Sequence, residues 1–352
     1  MVPYFSELSL TAQTAYAQLL DTALAADHAR SVADLSGSFN QKTVKGRDYW
    51  YYQYTEPSGR LRQTYIGPDS PAVHALIERK SQATASEMLP ALANSALALG
   101  CQGMIPRQYR VVRRLADYGF CRAGGVLIGT HAFLAYGNML GVRWGGHKRT
   151  QEIDFAQSGK SVALLLPSDI EMNTDEAIAS LKMGFLPVAG LTGKGGATYL
   201  IPQEPDFRID FLTTLHRGGD APFVHPKLGV TLQPLPFMEF SLESVEQAVL
   251  FCREGAVVVN VPNPSRYCLH KLIVFGERAG MFRTKANKDL AQVACLAAYL
   301  QAYRHDEFAA TKTDLLSRGR GWIGRFRAGA KALREAYPKL EAARFLALAG
   351  RS

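Results

Sequence analysis

Two short apolar segments of this chain carry carboxylates among residues that favour β-strands. Glu152 and Asp154 lie in QEIDFA, and Asp210 lies in FRIDFLTT. Residues two apart on a strand share a face, so Glu152 and Asp154 should point the same way. A carboxylate with apolar neighbours is costly to bury unless it is paired or binds a cation. We therefore expect the three carboxylates to converge on a cation such as Mg²⁺, which prefers oxygen ligands.

A strand–turn–helix signal precedes the first of these segments. In GGVLIGTHAFLAYGNML a short apolar strand should turn into a helix at Gly129 and Thr130. Glycine lets a phosphate approach the backbone closely, and the Thr130 hydroxyl can donate a hydrogen bond to a phosphate oxygen. The N-terminus of a helix also attracts negative charge. This turn is a candidate phosphate site. His131, the next residue, contacts a nucleotide or caps the helix; the sequence leaves both roles open.

The order of the remaining patterns predicts an α+β fold with a mixed sheet. Strands are expected in SVALLLP, ATYLIP and DFRIDFLTT, with a helix at residues 174–183 between Asn173 and Gly184. Residues 8–30 have helical spacing, and the chain from about residue 264 onward is helical. Three regions are expected. Residues 1–106 contain helices and, at residues 38–67, an aromatic β-hairpin. Residues 107–264 form a mixed-sheet core, and residues 265–352 form a helical region with a basic tail.

The aromatic hairpin should consist of three antiparallel strands with turns at Lys45-Gly46 and at Pro57-Ser58-Gly59. Bases can stack on exposed rings while cations meet phosphates. Alternatively, every second ring packs against the first helix and the others decorate a surface, because alternation lets only half of them face one side. The residues concerned are Tyr49, Trp50, Tyr51, Tyr52, Tyr54 and Tyr65 among Lys42, Lys45, Arg47, Arg60 and Arg62.

Charge and composition narrow the classes of protein. The net charge is +9, and residues 311–352 contain ten Lys or Arg against three Asp or Glu. Such a tail suggests a nucleic-acid partner or a solvated helix face. The five scattered cysteines form no CxxC pair, so neither a zinc site nor a disulfide framework is indicated. No apolar run approaches the roughly 20 residues that cross a bilayer, and no signal-peptide pattern is visible, so a cytoplasmic location is expected.

The order of these motifs resembles that of the polymerase-β-like nucleotidyltransferase superfamily: a strand, a Gly-Thr turn and a helix come first, and EIDF and IDF follow on two strands. That superfamily usually has Gly-Ser or Gly-Gly at the turn and Asp as the first acid, where this chain has Gly129-Thr130 and Glu152. The chain looks most like an uncharacterised bacterial subgroup with this fold. The resemblance implies that Glu152, Asp154 and Asp210 bind catalytic Mg²⁺ (or Mn²⁺) and that an NTP such as ATP is the substrate.

The segment HKLIVFGERAGMFRTKANKDLAQV is similar to a helical region of abortive-infection-type nucleotidyltransferase toxins. By that resemblance Lys271 and Arg278 contact the triphosphate, and Lys288 lies nearby. Asp289 holds a cation or acts as the base that polarises the acceptor hydroxyl. Those toxins modify acceptors such as tRNA, so tRNA or another RNA becomes a candidate partner through the aromatic hairpin and the basic tail. An antitoxin becomes a second candidate partner.

The sequence therefore predicts a metal-dependent nucleotidyltransferase that moves a nucleoside monophosphate from an NTP to an acceptor hydroxyl. The alternatives are a small-molecule or protein acceptor, or a non-catalytic nucleic-acid-binding protein that retains the fold. An ion pair between Arg208 and Asp210 is not expected, because Arg208 shares its face with the proposed metal ligands. Arg208 instead neutralises the site or binds phosphate, and the sequence does not separate these two roles.

Overall fold

The computed structural model describes residues 3–29, 37–55, 61–81, 84–145, 152–157, 173–189, 195–215, 219–226, 228–277 and 283–348. The strands are β1 (Phe5–Glu7), β2 (Gly37–Val44), β3 (Arg47–Thr55), β4 (Leu61–Pro68), β5 (Gly125–Leu127), β6 (Val142–Trp144), β7 (Ile153–Gln157), β8 (Leu186–Ala189), β9 (Gly195–Ile201), β10 (Glu204–Thr214), β11 (Phe223–His225), β12 (Val230–Leu235), β13 (Val245–Cys252) and β14 (Gly255–Pro262). The helices are α1 (Leu10–Ala29), α2 (Pro71–Ser81), α3 (Thr84–Ala98), α4 (Pro106–Asp117), α5 (Gly129–Met139), α6 (Thr174–Ser180), α7 (Met238–Leu242), α8 (Pro264–Glu277), α9 (Arg283–Tyr303), α10 (His305–Ser317), α11 (Arg320–Ala336) and α12 (Glu341–Leu346).

A mixed sheet forms the centre of the molecule. Its strands run in the order β11-β12-β10-β7-β5, and β9 joins β10 with β8 as its outer neighbour. Strand β10 is parallel to β7 and to β12 and antiparallel to β9, and β7 is antiparallel to β5. The prediction of an α+β fold with a mixed sheet is thus confirmed.

Alternation along β10 from Phe207 to Phe211 gives this part of the sheet one apolar face and one polar face. Phe207, Ile209 and Phe211 are buried, whereas Arg208 and Asp210 between them are only partly buried. On the apolar face Phe211 stacks on Phe155 of β7, with ring centroids 5.7 Å apart. The apolar face therefore anchors the two strands in the core, and the opposite face is left to carry the charged side chains.

A buried hairpin of β13 and β14 connects the N-terminal region to the core, and the sequence patterns did not predict it. The helices α1 and α3 pack on this hairpin in a hydrophobic cluster that includes Leu19, Ala93, Val249 and Phe251. Strand β1 adds a second link, since it pairs with β6. Apolar packing therefore crosses the expected boundary between residues 106 and 107, and the proposed domain limits stay predictions.

The predicted three-stranded aromatic sheet is present as β2, β3 and β4, all antiparallel. Its first turn has φ of 52° at Lys45 and 72° at Gly46. Two consecutive positive φ values are typical of the tight hairpin turn that suits twisted strands. The helix after Asn173 is also confirmed, since the Asn173 side chain accepts a hydrogen bond from the Glu176 backbone N–H at 3.0 Å. The predicted turn at residues 57–59 and the predicted strand SVALLLP lie outside the described residues.

The chain from Pro264 onward is helical, as predicted. Helices α8 and α11 cross at two glycines, and a Cβ atom at Gly329 would stand 2.2 Å from the Leu272 carbonyl oxygen. These C-terminal helices share the largest hydrophobic cluster with the central sheet. None of the described helices combines the length and the apolar character needed to span a bilayer.

Candidate active site

Asp154 and Asp210 lie next to each other on the polar face of the sheet. Strands β7 and β10 are parallel, and their register pairs Ile153 with Ile209 and Asp154 with Asp210. Side chains at paired positions of neighbouring strands project from the same face. Thr198 of β9 completes the row, because its hydroxyl donates to Asp210 Oδ1 at 2.6 Å. The structure therefore places two of the three predicted acids side by side, and the third, Glu152, lies near them through its ion pair with Arg208.

Gly129 starts α5 directly against the Asp154 carboxylate. Its φ is +64°, and a Cβ atom added there would stand 2.1 Å from Asp154 Oδ2. The preceding residue is tied to the same strand, since the Ile128 backbone N–H donates to the Asp154 carbonyl oxygen at 2.9 Å. Both the backbone conformation and the close approach require glycine at this position. The predicted turn and the predicted acid strand thus meet at one point.

Arg208 binds two of the predicted acids, contrary to the expectation from sequence. Its Nε donates to Asp210 Oδ2 at 3.0 Å and its Nη2 donates to Glu152 Oε1 at 2.8 Å. The expected absence of an Arg208–Asp210 ion pair was wrong because a guanidinium between two carboxylates offsets their mutual repulsion. Of the two roles left open for Arg208, neutralising the site is the one seen here.

The carboxylates of this face are the candidate ligands of a divalent cation. In the described part of the chain, no three His, Cys, Asp or Glu side chains gather closely enough to enclose a metal ion. Glu152 is turned to Arg208, but Asp154 and Asp210 offer adjacent oxygen donors of the kind that Mg²⁺ prefers. Burial, and then the negative charges of Asp210 and Glu152, raise the pKa of Asp154 to about 6. The excess of negative charge on this face fits a cation bound by Asp154 and Asp210. That Glu152 is a further ligand of the cation stays a prediction.

Thr130 is buried and held by the C-terminal helices. The side-chain amide of Gln292 donates to Thr130 Oγ1 at 3.2 Å. Tyr267 of α8 donates its hydroxyl to the Gly129 carbonyl oxygen at 2.8 Å, and it lies 3.1 Å from Gln292 Oε1. Neither Tyr267 nor Gln292 was predicted, and both fix the shape of the glycine turn. Contact of the Thr130 hydroxyl with a phosphate stays a prediction.

Lys271 and Asp289 form a buried ion pair beside the same turn. The Lys271 Nζ is 2.5 Å from Asp289 Oδ1, and the two side chains are 15% and 8% exposed. Lys271 and Lys288 also act electrostatically on Asp154, where both oppose the rise of its pKa. Burial, and then the charge of Lys271, lower the pKa of Lys288 itself. The structure thus brings Lys271, Lys288 and Asp289 near the carboxylate face, while Arg278 lies outside the described residues.

His131 faces the interior of the protein. Its Nε2 is 3.0 Å from Gln108 Oε1, and the residue is 1% exposed. Burial, and then the charge of Lys288, lower the pKa of His131 to about 4, so the ring is neutral near pH 7. A buried neutral ring bonded to Gln108 is part of the protein interior next to the turn at Gly129 and Thr130.

Comparison with known proteins gives two family matches. The model of a nucleotidyltransferase family matches residues 107–317, and that of a domain of unknown function matches residues 14–75. Among solved structures, the chain is similar to the crystal structure of an antigenic nucleotidyltransferase-like protein from Paracoccidioides brasiliensis. The two share 12% sequence identity with a TM-score of 0.35, over 71% of this chain and 97% of the other. No curated protein matches the chain.

Proposed function

Because this chain belongs to the nucleotidyltransferase family whose model covers residues 107–317, we propose that it transfers a nucleoside monophosphate from an NTP to an acceptor hydroxyl. The acceptor oxygen attacks the α-phosphorus, the bond from that phosphorus to the bridging oxygen breaks, and pyrophosphate leaves. The proposal extends the family assignment to a reaction and to the residues that carry it.

The observation that carries the proposal is the pairing of Asp154 with Asp210 beside the Gly129 turn. Phosphoryl transfer depends mostly on positioning and on neutralising charge, so a fixed pair of carboxylates next to the N-terminus of a helix suits it. A divalent cation held by Asp154 and Asp210 would supply charge neutralisation of the phosphates. The close contact of Gly129 with Asp154 keeps the turn and the carboxylates in register with each other.

Two lysines supply positive charge on the side of the C-terminal helices. Lys271 and Lys288 both interact electrostatically with Asp154, so a triphosphate at this face would meet cations as well as carboxylates. We assign Asp289 as a positioning residue for Lys271, because its carboxylate is already paired with the Lys271 ammonium. A carboxylate neutralised in this way is a poor base for the acceptor hydroxyl.

The test is nucleotidyl transfer with each α-labelled NTP, Mg²⁺ or Mn²⁺, and total RNA as the acceptor. Wild-type protein should label an acceptor, while Asp154→Asn and Asp210→Asn should lose at least about a hundredfold in rate if the pair holds the cation. Asp21→Asn is the matched control, because Asp21 is an exposed aspartate on α1. Full activity in either site variant, or equal loss in the control, would contradict the assignment.

One observation favours a second candidate, a nucleic-acid-binding protein that keeps the fold without catalysis. Arg208 already supplies a positive charge between Glu152 and Asp210, where a metal-dependent site would use a metal. Calorimetry separates the two functions. An active enzyme should bind NTP in a Mg²⁺-dependent way that Asp154→Asn abolishes, and a non-catalytic protein should show no such binding.

A further inference from the structure

One face of the sheet of β2, β3 and β4 carries the rings of Tyr49, Tyr51 and Tyr65, and we call it the tyrosine face. Tyr49 and Tyr51 alternate with Trp50 and Tyr52, and the register places Tyr65 of β4 directly opposite Tyr51. The Tyr65 ring centroid is 5.5 Å from that of Tyr51 and 6.1 Å from that of Tyr49, so the three rings form a continuous patch. Tyr65 is 53% exposed. An aromatic surface of this kind is free to stack against planar groups.

The opposite face of this sheet is used for packing. Tyr52 is buried with its ring 5.0 Å from that of Phe39, and Trp50 Nε1 donates to Asp69 Oδ1 at 2.7 Å. The Trp50 ring also meets His74 of α2 edge-on. Structural packing therefore accounts for Trp50 and Tyr52, but the helix that meets the Trp50 ring is α2 and not the first helix, which the sequence alternative had named. It does not account for the rings of the tyrosine face.

Positive charge accompanies the tyrosines. Lys42 Nζ lies 5.1 Å from the centroid of the Tyr51 ring and donates to Gln63 Oε1 at 2.7 Å. Lys45 and Arg47 are exposed at the turn that ends this face. Asp48, in contrast, alternates to the packed face, where its carboxylate accepts a hydrogen bond from Thr43. The charge of the tyrosine face is therefore complementary to a polyanion.

A shallow pocket of about 250 Å³ adjoins the rings. Its lining combines one apolar side chain with amides and a cation, namely Asn40, Lys42, Gln53, Leu61 and Gln63. The Asn40 side-chain amide donates to Gln53 Oε1 at 2.8 Å, which fixes the orientation of both groups. Among the residues that the structure describes, Asn40 Oδ1 and the Gln53 amino group have no further hydrogen-bond partner and can bond a polar ligand. Amides of this kind recognise base edges and the ribose 2′-hydroxyl.

We propose that the tyrosine face binds single-stranded RNA. Bases stack on Tyr65 and Tyr51, phosphates meet Lys42 and Arg47, and the Asn40–Gln53 pocket receives a base edge or a 2′-hydroxyl. Binding of this kind needs no metal and no nucleotidyl transfer, so it stands or falls separately from the proposed reaction.

The test is fluorescence anisotropy of the full chain with a labelled oligouridylate of about ten nucleotides, without NTP or divalent cations. Tyr65→Ala and Tyr51→Ala should each weaken binding about tenfold, because base stacking is lost. Tyr65→Phe keeps the ring and should bind within about twofold of wild type. Lys42→Ala should weaken binding and reduce its salt dependence, since a phosphate contact disappears.

Tyr303→Ala is the matched control, because Tyr303 is 56% exposed on α9, away from the tyrosine face. It should leave the affinity unchanged, and thermal melting should show that every variant is folded. The oligodeoxyuridylate of the same length should bind at least about threefold more weakly, because it differs only in lacking the 2′-hydroxyl. Equal or tighter DNA binding overturns the choice of RNA. No RNA binding, or unchanged affinity in Tyr65→Ala and Tyr51→Ala, overturns the site.

Discussion

Gly129 and Asp154 are in such close contact that no side chain fits between them: a Cβ atom at Gly129 would stand 2.1 Å from Asp154 Oδ2. The contact joins the start of α5 to the strand that carries the first aspartate of the pair. Because it involves backbone on one side and a carboxylate on the other, it links the stability of the fold to the geometry of the site.

The first prediction is that Gly129→Ala both destabilises the protein and abolishes nucleotidyl transfer. The φ of +64° adds about 1–2 kcal/mol of strain for any residue with a Cβ atom, and the collision with Asp154 adds to it. Gly184→Ala is the control, because its φ is +80° and no atom lies within 4 Å of the added Cβ. Urea unfolding should show a loss of about 1–2 kcal/mol for the control and at least about 3 kcal/mol for Gly129→Ala.

A double-mutant cycle identifies the source of the extra loss. In an Asp154→Gly background the carboxylate is gone, so Gly129→Ala should then cost no more than the control. If the cost is the same in both backgrounds, the collision is not what makes glycine necessary.

The second prediction is that Asp154→Asn stabilises the protein near pH 7.5 in the absence of divalent cations. The folded pKa of Asp154, raised to about 6 by burial and then by Asp210 and Glu152, is above the unfolded value of about 3.9. The destabilisation is therefore fully present above pH about 6 and disappears as the pH falls below about 4. A shift of this size corresponds to about 3 kcal/mol. Denaturant unfolding across this range measures it.

Asp206→Asn on the neighbouring strand β10 is the control for Asp154→Asn, because Asp206 is exposed. It should change stability by less than about 0.5 kcal/mol at either pH. Mg²⁺ should raise the melting temperature of wild type and not that of Asp154→Asn. A less stable Asp154→Asn protein would mean that the carboxylate is compensated in the folded state.

Parts of this site follow from the sequence because the pattern is local. Asp154 and Asp210 each sit between apolar residues on a strand, and Gly129 stands between a strand and a helix. The roles of Tyr267 and Gln292 do not follow, since these residues reach Gly129 and Thr130 across 138 and 162 positions of the chain. No local pattern encodes a contact over that separation.

The misjudged elements have equally specific reasons. Strands β13 and β14 are almost continuously apolar, so they lack the alternation that distinguishes a half-buried strand. Strands β1 and β6 have three residues each, too few for any periodicity. Arg208 was correctly placed on the carboxylate face, but the attraction between a guanidinium and two carboxylates was underestimated.

The third prediction concerns Arg208, which competes with a cation for Asp210. Arg208→Gln leaves Glu152 and Asp210 without their ion pair and should destabilise the metal-free protein by about 2 kcal/mol. Mg²⁺ should then bind more tightly and give a larger rise in melting temperature than in wild type. Calorimetry and thermal melting measure the two effects.

Arg110→Gln is the control, since Arg110 pairs with Glu254 at an exposed site where the ion pair contributes little. This variant should bind Mg²⁺ as wild type does. Weaker Mg²⁺ binding in Arg208→Gln would show that the guanidinium holds the carboxylates in place for the metal and does not compete with it.

The fourth prediction is that His131 makes the fold sensitive to acid. Burial, and then Lys288, lower its pKa to about 4, whereas the unfolded value is about 6.5. The contribution of His131 to the free energy of unfolding is therefore complete above pH about 6.5. It falls by about 3 kcal/mol in all as the pH drops to about 4, because the buried ring must then take up a proton. His131→Gln should remove this loss, and urea unfolding at several pH values measures it. The exposed His305 provides the control variant, His305→Gln.

Asp154 acts across the same pH range in the opposite direction, so the wild-type profile alone does not reveal either group. The double variant of His131→Gln and Asp154→Asn should have a flatter profile than either single variant. If His131→Gln has the same dependence of stability on pH as wild type, protonation of the buried ring does not make the fold sensitive to acid.

The last prediction concerns a row of cations along α11. Phe326, Ala330 and Leu333 are buried on one side of this helix. The exposed residues Arg320, Arg327, Lys331 and Arg334 are separated by seven, four and three positions, so an α-helix places them in one stripe along its length. Lys331 is 3.9 Å from Glu335 in an exposed pair, which neutralises little of this charge. The stripe is therefore suited to the phosphates of a folded RNA such as tRNA.

Changing all four residues of this stripe to Gln should weaken tRNA binding and flatten its salt dependence. Each lost phosphate contact lowers the slope of log affinity against log salt by about 0.7–0.9, so four contacts amount to about 3. In the control variant the same number of positive charges is removed elsewhere, by changing to Gln the residues Arg107, Arg110, Lys182 and Arg253. Filter binding at several salt concentrations compares the two. Equal slopes in the two variants would mean that net charge, and not the arrangement along α11, attracts the RNA.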